Sequence, residues 1–171
     1  MEKRILTNDH IVNEELGLIN VFYHLRKVEA EYKFNYARKR NMEKLMPIMK
    51  EYEKLKFAPP IPCEGRAEYD KERMKKLVEI CGADANGNPV SDKMGMAVIP
   101  KEKQGEWNDI IVDLYKRYPD VAEADKVNQD KLNEWLDLPY AEEFYKVKTG
   151  DIPKLQGWLF DILDGIMWDV E

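Results

Sequence analysis

FNYARKRNMEKLMPIMKEYEKL, residues 34–55, sets Phe34, Arg38, Asn41, Leu45, Ile48, Tyr52 and Leu55 at alternating steps of four and three. That spacing puts all seven on one stripe of an α-helix, and Val28 and Tyr32 lead into it. Pro47 lacks the N–H an interior position needs, so a kink or division is expected near Leu45 or Met46. Pro59, Pro60 and Pro62 then fix an extended connector over residues 57–62. A second helical pattern runs from Glu68 through Tyr69, Arg73, Met74, Leu77 and Ile80 and closes on Gly82 as a C-cap. Residues 1–82 are therefore expected to be a helical hairpin whose two long helices pair antiparallel.

Before the long helix, Thr7, Asn8 and Asp9 offer N-cap oxygens to a first helix containing Ile11, Val12, Leu16, Ile19, Val21, Phe22 and Leu25. Gly17 inside that pattern marks either close packing or a break. Residues 83–171 read as a mixed region. Asp84-Ala-Asn-Gly-Asn-Pro-Val suggests a type I′ hairpin with short flanking strands reaching Met96 to Ile99. Trp107, Ile110, Ile111, Leu114 and Tyr118 predict a helix stopped by Pro119, and a short helix includes Leu132, Trp135 and Leu136. Phe144 to Lys148 alternates like a strand that could pair with the hairpin. Leu155, Trp158, Leu159, Ile162, Leu163, Ile166 and Met167 predict a closing amphipathic helix of about three turns. The expected fold is mainly α with a small β element, in one domain of 171 residues.

Apolar residues form 44% of the chain and charged residues 35%, as in a folded chain with a solvated surface. No apolar run approaches the roughly 20 residues of a membrane span, and no apolar region follows Met1-Glu-Lys-Arg to make a secretory signal. A cytoplasmic location is expected. The net charge of −6 is uneven: residues 1–103 carry 20 Lys+Arg against 17 Asp+Glu, and residues 104–171 carry 7 against 16. Two solvated faces explain this; an acidic third mimicking nucleic acid is the alternative.

Candidate chemistry is sparse. Asp84, Asn86 and Asn88 begin like a calcium loop, but Pro89 and Gly95 occupy its glycine and glutamate positions, so turn geometry is the better account. Glu134, Asp137, Asp161 and Asp164 form two i, i+3 carboxylate pairs that could hold magnesium against a nucleotide, as in all-α pyrophosphatases; solvated helix faces are the competing reading. His10 and His24 lack zinc or di-iron spacing, and Cys63 and Cys81 suit neither a zinc site nor a disulfide framework. Tyr32-Lys-Phe-Asn-Tyr-Ala-Arg-Lys-Arg interleaves aromatics and cations, yet an amphipathic core helix accounts for it, and nucleic acid is not expected of an acidic chain.

Phe34 to Leu45 with Pro47 and Glu51-Tyr-Glu-Lys-Leu, then Asp84 to Val90, then Asp151-Ile-Pro-Lys-Leu, resemble a group of small tailed-phage and prophage proteins of unassigned biochemical function. The resemblance supplies no catalytic residue. Together with the missing catalytic constellation and the wide apolar C-terminal helix, it leads to the expectation of a noncatalytic protein that needs no cofactor, in the virion or the host cytoplasm. Its partner would be a phage structural protein in virion or tail assembly, or a host factor, with self-association left open. Trp158, Phe160 and Trp168 are the candidate interface residues, because indole and phenyl rings are favoured anchors; core burial is the competing role.

Overall fold

The computed structural model describes residues 6–13, 17–93 and 95–168. Among these the chain is mainly helical: α1 (Asn8–Val12), α2 (Leu18–Leu25), α3 (Tyr32–Lys56), α4 (Arg66–Cys81), α5 (Gln104–Arg117), α6 (Pro119–Leu136) and α7 (Gly157–Leu163). The chain divides into two compact units, Met1–Ala58 with Asp130–Glu171, and Pro59–Gln129. Within the first unit α3 lies against α1 and α2, and within the second α4 lies against α5.

In the first unit, Thr7 caps α1 and His10 completes the capping box, its Nδ1 accepting from the Thr7 N–H at 3.1 Å. Gly17 proves to be both a break and a close contact. It is the N-cap of α2, and a Cβ there would fall 2.6 Å from the Asn13 nitrogen and nearer still to its carbonyl oxygen. Ile11, Leu18, Val21, Phe22 and Leu25 fill the core with Phe34, Ala37 and Leu45 of α3. The long helix runs on through Pro47. Both Pro47 and Glu43, whose carbonyl loses its partner to the proline, lie on the exposed face, where water can satisfy that oxygen.

The C-terminal segment closes this core. Residues 144–148, expected as a strand, form none. Instead the buried Asn41 amide acts as a strand partner: its Nδ2 donates to the Tyr145 carbonyl at 3.0 Å and its Oδ1 accepts from the Tyr145 N–H at 2.7 Å. The Val147 N–H donates to Met167 O at 2.8 Å. The closing helix is shorter than expected, since α7 ends at Leu163 and Gly165, at φ 75°, turns the chain so that Ile166, Met167 and Trp168 enter the core. Tyr140 packs against this core too, and burial pushes its phenol up to about 12.

In the second unit, Tyr69 stacks on Tyr115 with centroids 5.6 Å apart and meets Tyr118 edge-on at 5.9 Å, around buried Leu114 and Val121. Asp125 ties this cluster together, accepting from Arg66 Nη2 at 2.6 Å and from the Tyr115 hydroxyl at 3.1 Å. Leu77, Ile80 and Trp107 form a second small cluster. Pro119 ends α5 but also opens α6, whose first position needs no N–H, so the expected short helix is instead 18 residues long.

The expected small β element is not found. Among the described residues there are isolated bridges, such as Ala83 with Pro89 and Ser91 with Ala97, and no sheet. The Asn86-Gly87 turn is not type I′ either, because only Gly87 has positive φ. Asp84 O accepts from the Gly87 N–H and Asp84 N–H donates to Asn88 O, the three-residue loop with a glycine bulge. Asp92 and Gly95 repeat this pattern. Asp84 Oδ1 also accepts from the Asn86 and Asn88 N–H groups, so its carboxylate holds the turn. Flanking segments two or three residues long, with Val90, Met96 and Val98 exposed, bury too little to build a sheet.

Gly17→Ala is expected to lose about 2 kcal/mol, because the methyl meets backbone that cannot rotate away. Asn41→Ala should lose about 3 kcal/mol by orphaning two backbone groups of Tyr145. Urea unfolding of each variant against the parent checks both.

Candidate functional site

The first unit carries a cleft of about 520 Å³ lined by His24, Lys27, Val28, Glu29, Lys154, Gln156 and Leu159. The end of α2 and the turn that follows it make one wall. Backbone bonds from Arg26, Lys27 and Val28 to Tyr23, His24 and Leu25 tighten that turn, and the Arg38 guanidinium donates to the Leu25 carbonyl. Asn35 Nδ2 reaches back to Ala30 O at 2.5 Å. The opposite wall is the segment before α7, tied to α3 by Lys33 and Asp151 at 3.4 Å. A second recess of about 420 Å³ shares Glu29 and Lys154 and extends past Glu31, Asp151 and Pro153.

Trp158 stands beside this cleft and is 41% exposed. Its Nε1 donates to Gln156 Oε1 at 2.8 Å, and its ring meets His24 edge-on at 5.4 Å. Both partners line the cleft, so the indole is held in one orientation by groups belonging to the same feature. An apolar floor of Val28 and Leu159, one fixed indole and a rim of Lys27, Glu29 and Lys154 can receive a peptide side chain and satisfy charges of either sign around it.

The other interface candidates lie differently. Trp168 is wholly buried, with Phe160 packed on it at 5.3 Å and itself partly buried, so both serve the core here. Glu134, Asp137, Asp161 and Asp164 are all exposed, and the described residues contain no group of three or more acidic, His or Cys side chains arranged to hold a metal. The two carboxylate pairs are not brought together into the cage that the magnesium reading requires. The acidic residues beyond position 104 are shared between the two units, those to Asp125 in one and those from Asp130 in the other. Cys63 and Cys81 are free thiols, both partly buried.

His24 and Lys27 were not legible as functional residues. Their partner segment lies more than a hundred positions away, and no local spacing announces the meeting. Comparison with known proteins finds no matching family model, no matching curated protein and no matching solved structure.

Of the four tryptophans, Trp107 and Trp168 are buried and Trp135 is partly buried, which makes Trp158 the most accessible. Acrylamide should therefore quench a fraction of the native fluorescence that Trp158→Phe removes. Unchanged quenching in that variant would place the exposed indole elsewhere.

Proposed function

We propose that this protein works without catalysis, by holding a protein partner at the cleft beside Trp158, in virion or tail assembly or against a host factor. The observation that carries this reading is the fixed, solvent-facing indole. Leaving so large an apolar surface in water forgoes about 1 to 2 kcal/mol of burial, and fixing its rotamer beforehand removes part of the entropy cost of binding. The mixed-charge rim suits a protein segment, whose backbone and side chains offer donors and acceptors together. The resemblance to small tailed-phage proteins supports the choice of partner class.

The test is parallel affinity capture from infected and uninfected host lysates with the parent chain and Trp158→Ala. Truncating a central aromatic anchor costs 2 kcal/mol or more, so a true partner should be retained about thirtyfold less well by the variant. Thermal unfolding of the variant checks that its core is intact. Phage structural proteins retained by the parent alone indicate assembly, and a single host protein indicates inhibition. Identical recovery by both forms refutes the assignment to this cleft.

A further inference from the structure

Tyr32, Tyr36, Arg40 and Lys44 follow one another on α3 at strict intervals of four. Residues four apart on a helix stand one above the other with a rise of about 6 Å, so the four make a single ridge. Tyr32 and Tyr36 stack with centroids 6.2 Å apart and planes at 29°. The Asn41 amide, holding the Tyr145 backbone at 2.7 and 3.0 Å, brings a third ring to this ridge, edge-on to Tyr36 at 6.2 Å. The Arg40 guanidinium and Lys44 ammonium lie 5.5 and 4.9 Å from the centre of the Tyr145 ring.

None of the three rings is needed for the core, which α3 supplies through Phe34, Ala37, Asn41 and Leu45. All three face solvent, Tyr32 at 78% exposure. Although the chain is acidic overall, residues 32–44 carry Lys33, Arg38, Lys39, Arg40 and Lys44 against the single acid Glu43. Glu43 binds Arg40 at 2.7 Å, Glu142 lies 3.9 Å from Lys44, which also donates to the Glu143 carbonyl, and Asp151 lies 3.4 Å from Lys33. These pairs are exposed enough for a phosphate to compete for the cations, and Lys39 is exposed on the same helix. An acidic peptide would use the cations and gain little from the rings; an apolar partner would use the rings and strand the cations. Unpaired bases joined by phosphates use both, since any base offers a flat π face and each linkage an anion.

We propose that the ridge of Tyr32, Tyr36, Arg40 and Lys44, completed by Tyr145, binds single-stranded nucleic acid, with bases stacked on the tyrosines and phosphates held by the cations. Recognition is by stacking and charge, so it is tolerant of sequence and weakens with salt.

Fluorescence anisotropy of a fluorescein-labelled oligothymidylate of about 16 nucleotides, at the upper end of usual single-strand site sizes, tests this with the full chain. Tyr32→Ala and Tyr36→Ala should each weaken binding about tenfold and leave the salt slope unchanged. Tyr36→Phe should bind as the parent does. Arg40→Gln should flatten the slope of log K against log salt by about 0.7, the share of one phosphate contact on a single strand. These positions are exposed, and thermal unfolding confirms that each variant is folded. The proposal fails if the parent gives no signal up to about 100 μM, the weak end of nonspecific affinities. It also fails if the Tyr→Ala variants bind like the parent, or if a duplex of equal length binds equally well. Displacement by polyglutamate as readily as by unlabelled oligonucleotide would overturn it in favour of an acidic peptide.

Discussion

A buried amide group cannot be left unpaired, and Asn41 meets that constraint with the backbone of a single residue 104 positions away. The carboxamide presents one donor and one acceptor side by side, the arrangement a neighbouring strand would offer. It therefore gives residue 145 its hydrogen-bonding partners where no strand is present. The first unit is built from two stretches of chain separated by the whole of the second, and closing a loop of that length costs roughly 4 kcal/mol of chain entropy plus a constant. The Asn41 bonds help to offset that cost, with the Asn8 N–H to Leu138 O at 3.0 Å, Asn8 Nδ2 to Trp135 O at 2.9 Å and the Tyr140 N–H to Leu6 O at 2.8 Å. Each joins the N-terminal stretch to the returning one, and each satisfies a polar group beside Ile11, Phe34, Leu163 and Trp168.

The second unit solves a similar problem with charge. Arg66 and Asp125 are both largely withdrawn from water, and Asp125 also receives the Tyr115 hydroxyl. Burial, with the neighbouring Tyr69 and Asp125, pushes the Tyr115 phenol well above its usual range, so it stays a neutral donor at any ordinary pH. Tyrosine suits this small core because its ring supplies apolar area while its hydroxyl reaches a carboxylate. The pair at the edge, Glu72 with Arg117 at 2.5 Å and the Tyr118 hydroxyl at 2.8 Å, is exposed and contributes little to stability by comparison.

Both surfaces offered for binding depend on the returning C-terminal stretch. The cleft needs Lys154, Gln156 and Trp158 beside α2, and the tyrosine ridge needs Tyr145 beside α3. Closure of the first unit and assembly of its binding groups are consequently the same event. Neither surface exists on the N-terminal stretch alone, although α3 carries most of the ridge.

The sequence by itself determined the helices whose signals are local: α3 from its four-three stripe, α4 with Gly82 at φ 82° as its C-cap, α5 from Trp107 onward, and glycine turns held by Asp84. These follow from residue spacing and backbone sterics, which a few neighbouring residues settle. It also holds the regular spacing of Tyr32, Tyr36, Arg40 and Lys44, which has the look of a core helix's flank because Phe34 faces inward. Only the tertiary structure decided which helices pair, that Tyr145 takes an asparagine rather than a strand as partner, and that Trp168 is core while Trp158 is surface. The two tryptophans lie ten positions apart in the same apolar C-terminal segment, and their fates separate because α7 ends at Leu163 and Gly165, at φ 75°, turns the last residues inward. Burial is a property of what lies opposite a side chain, and here what lies opposite comes from the other end of the chain.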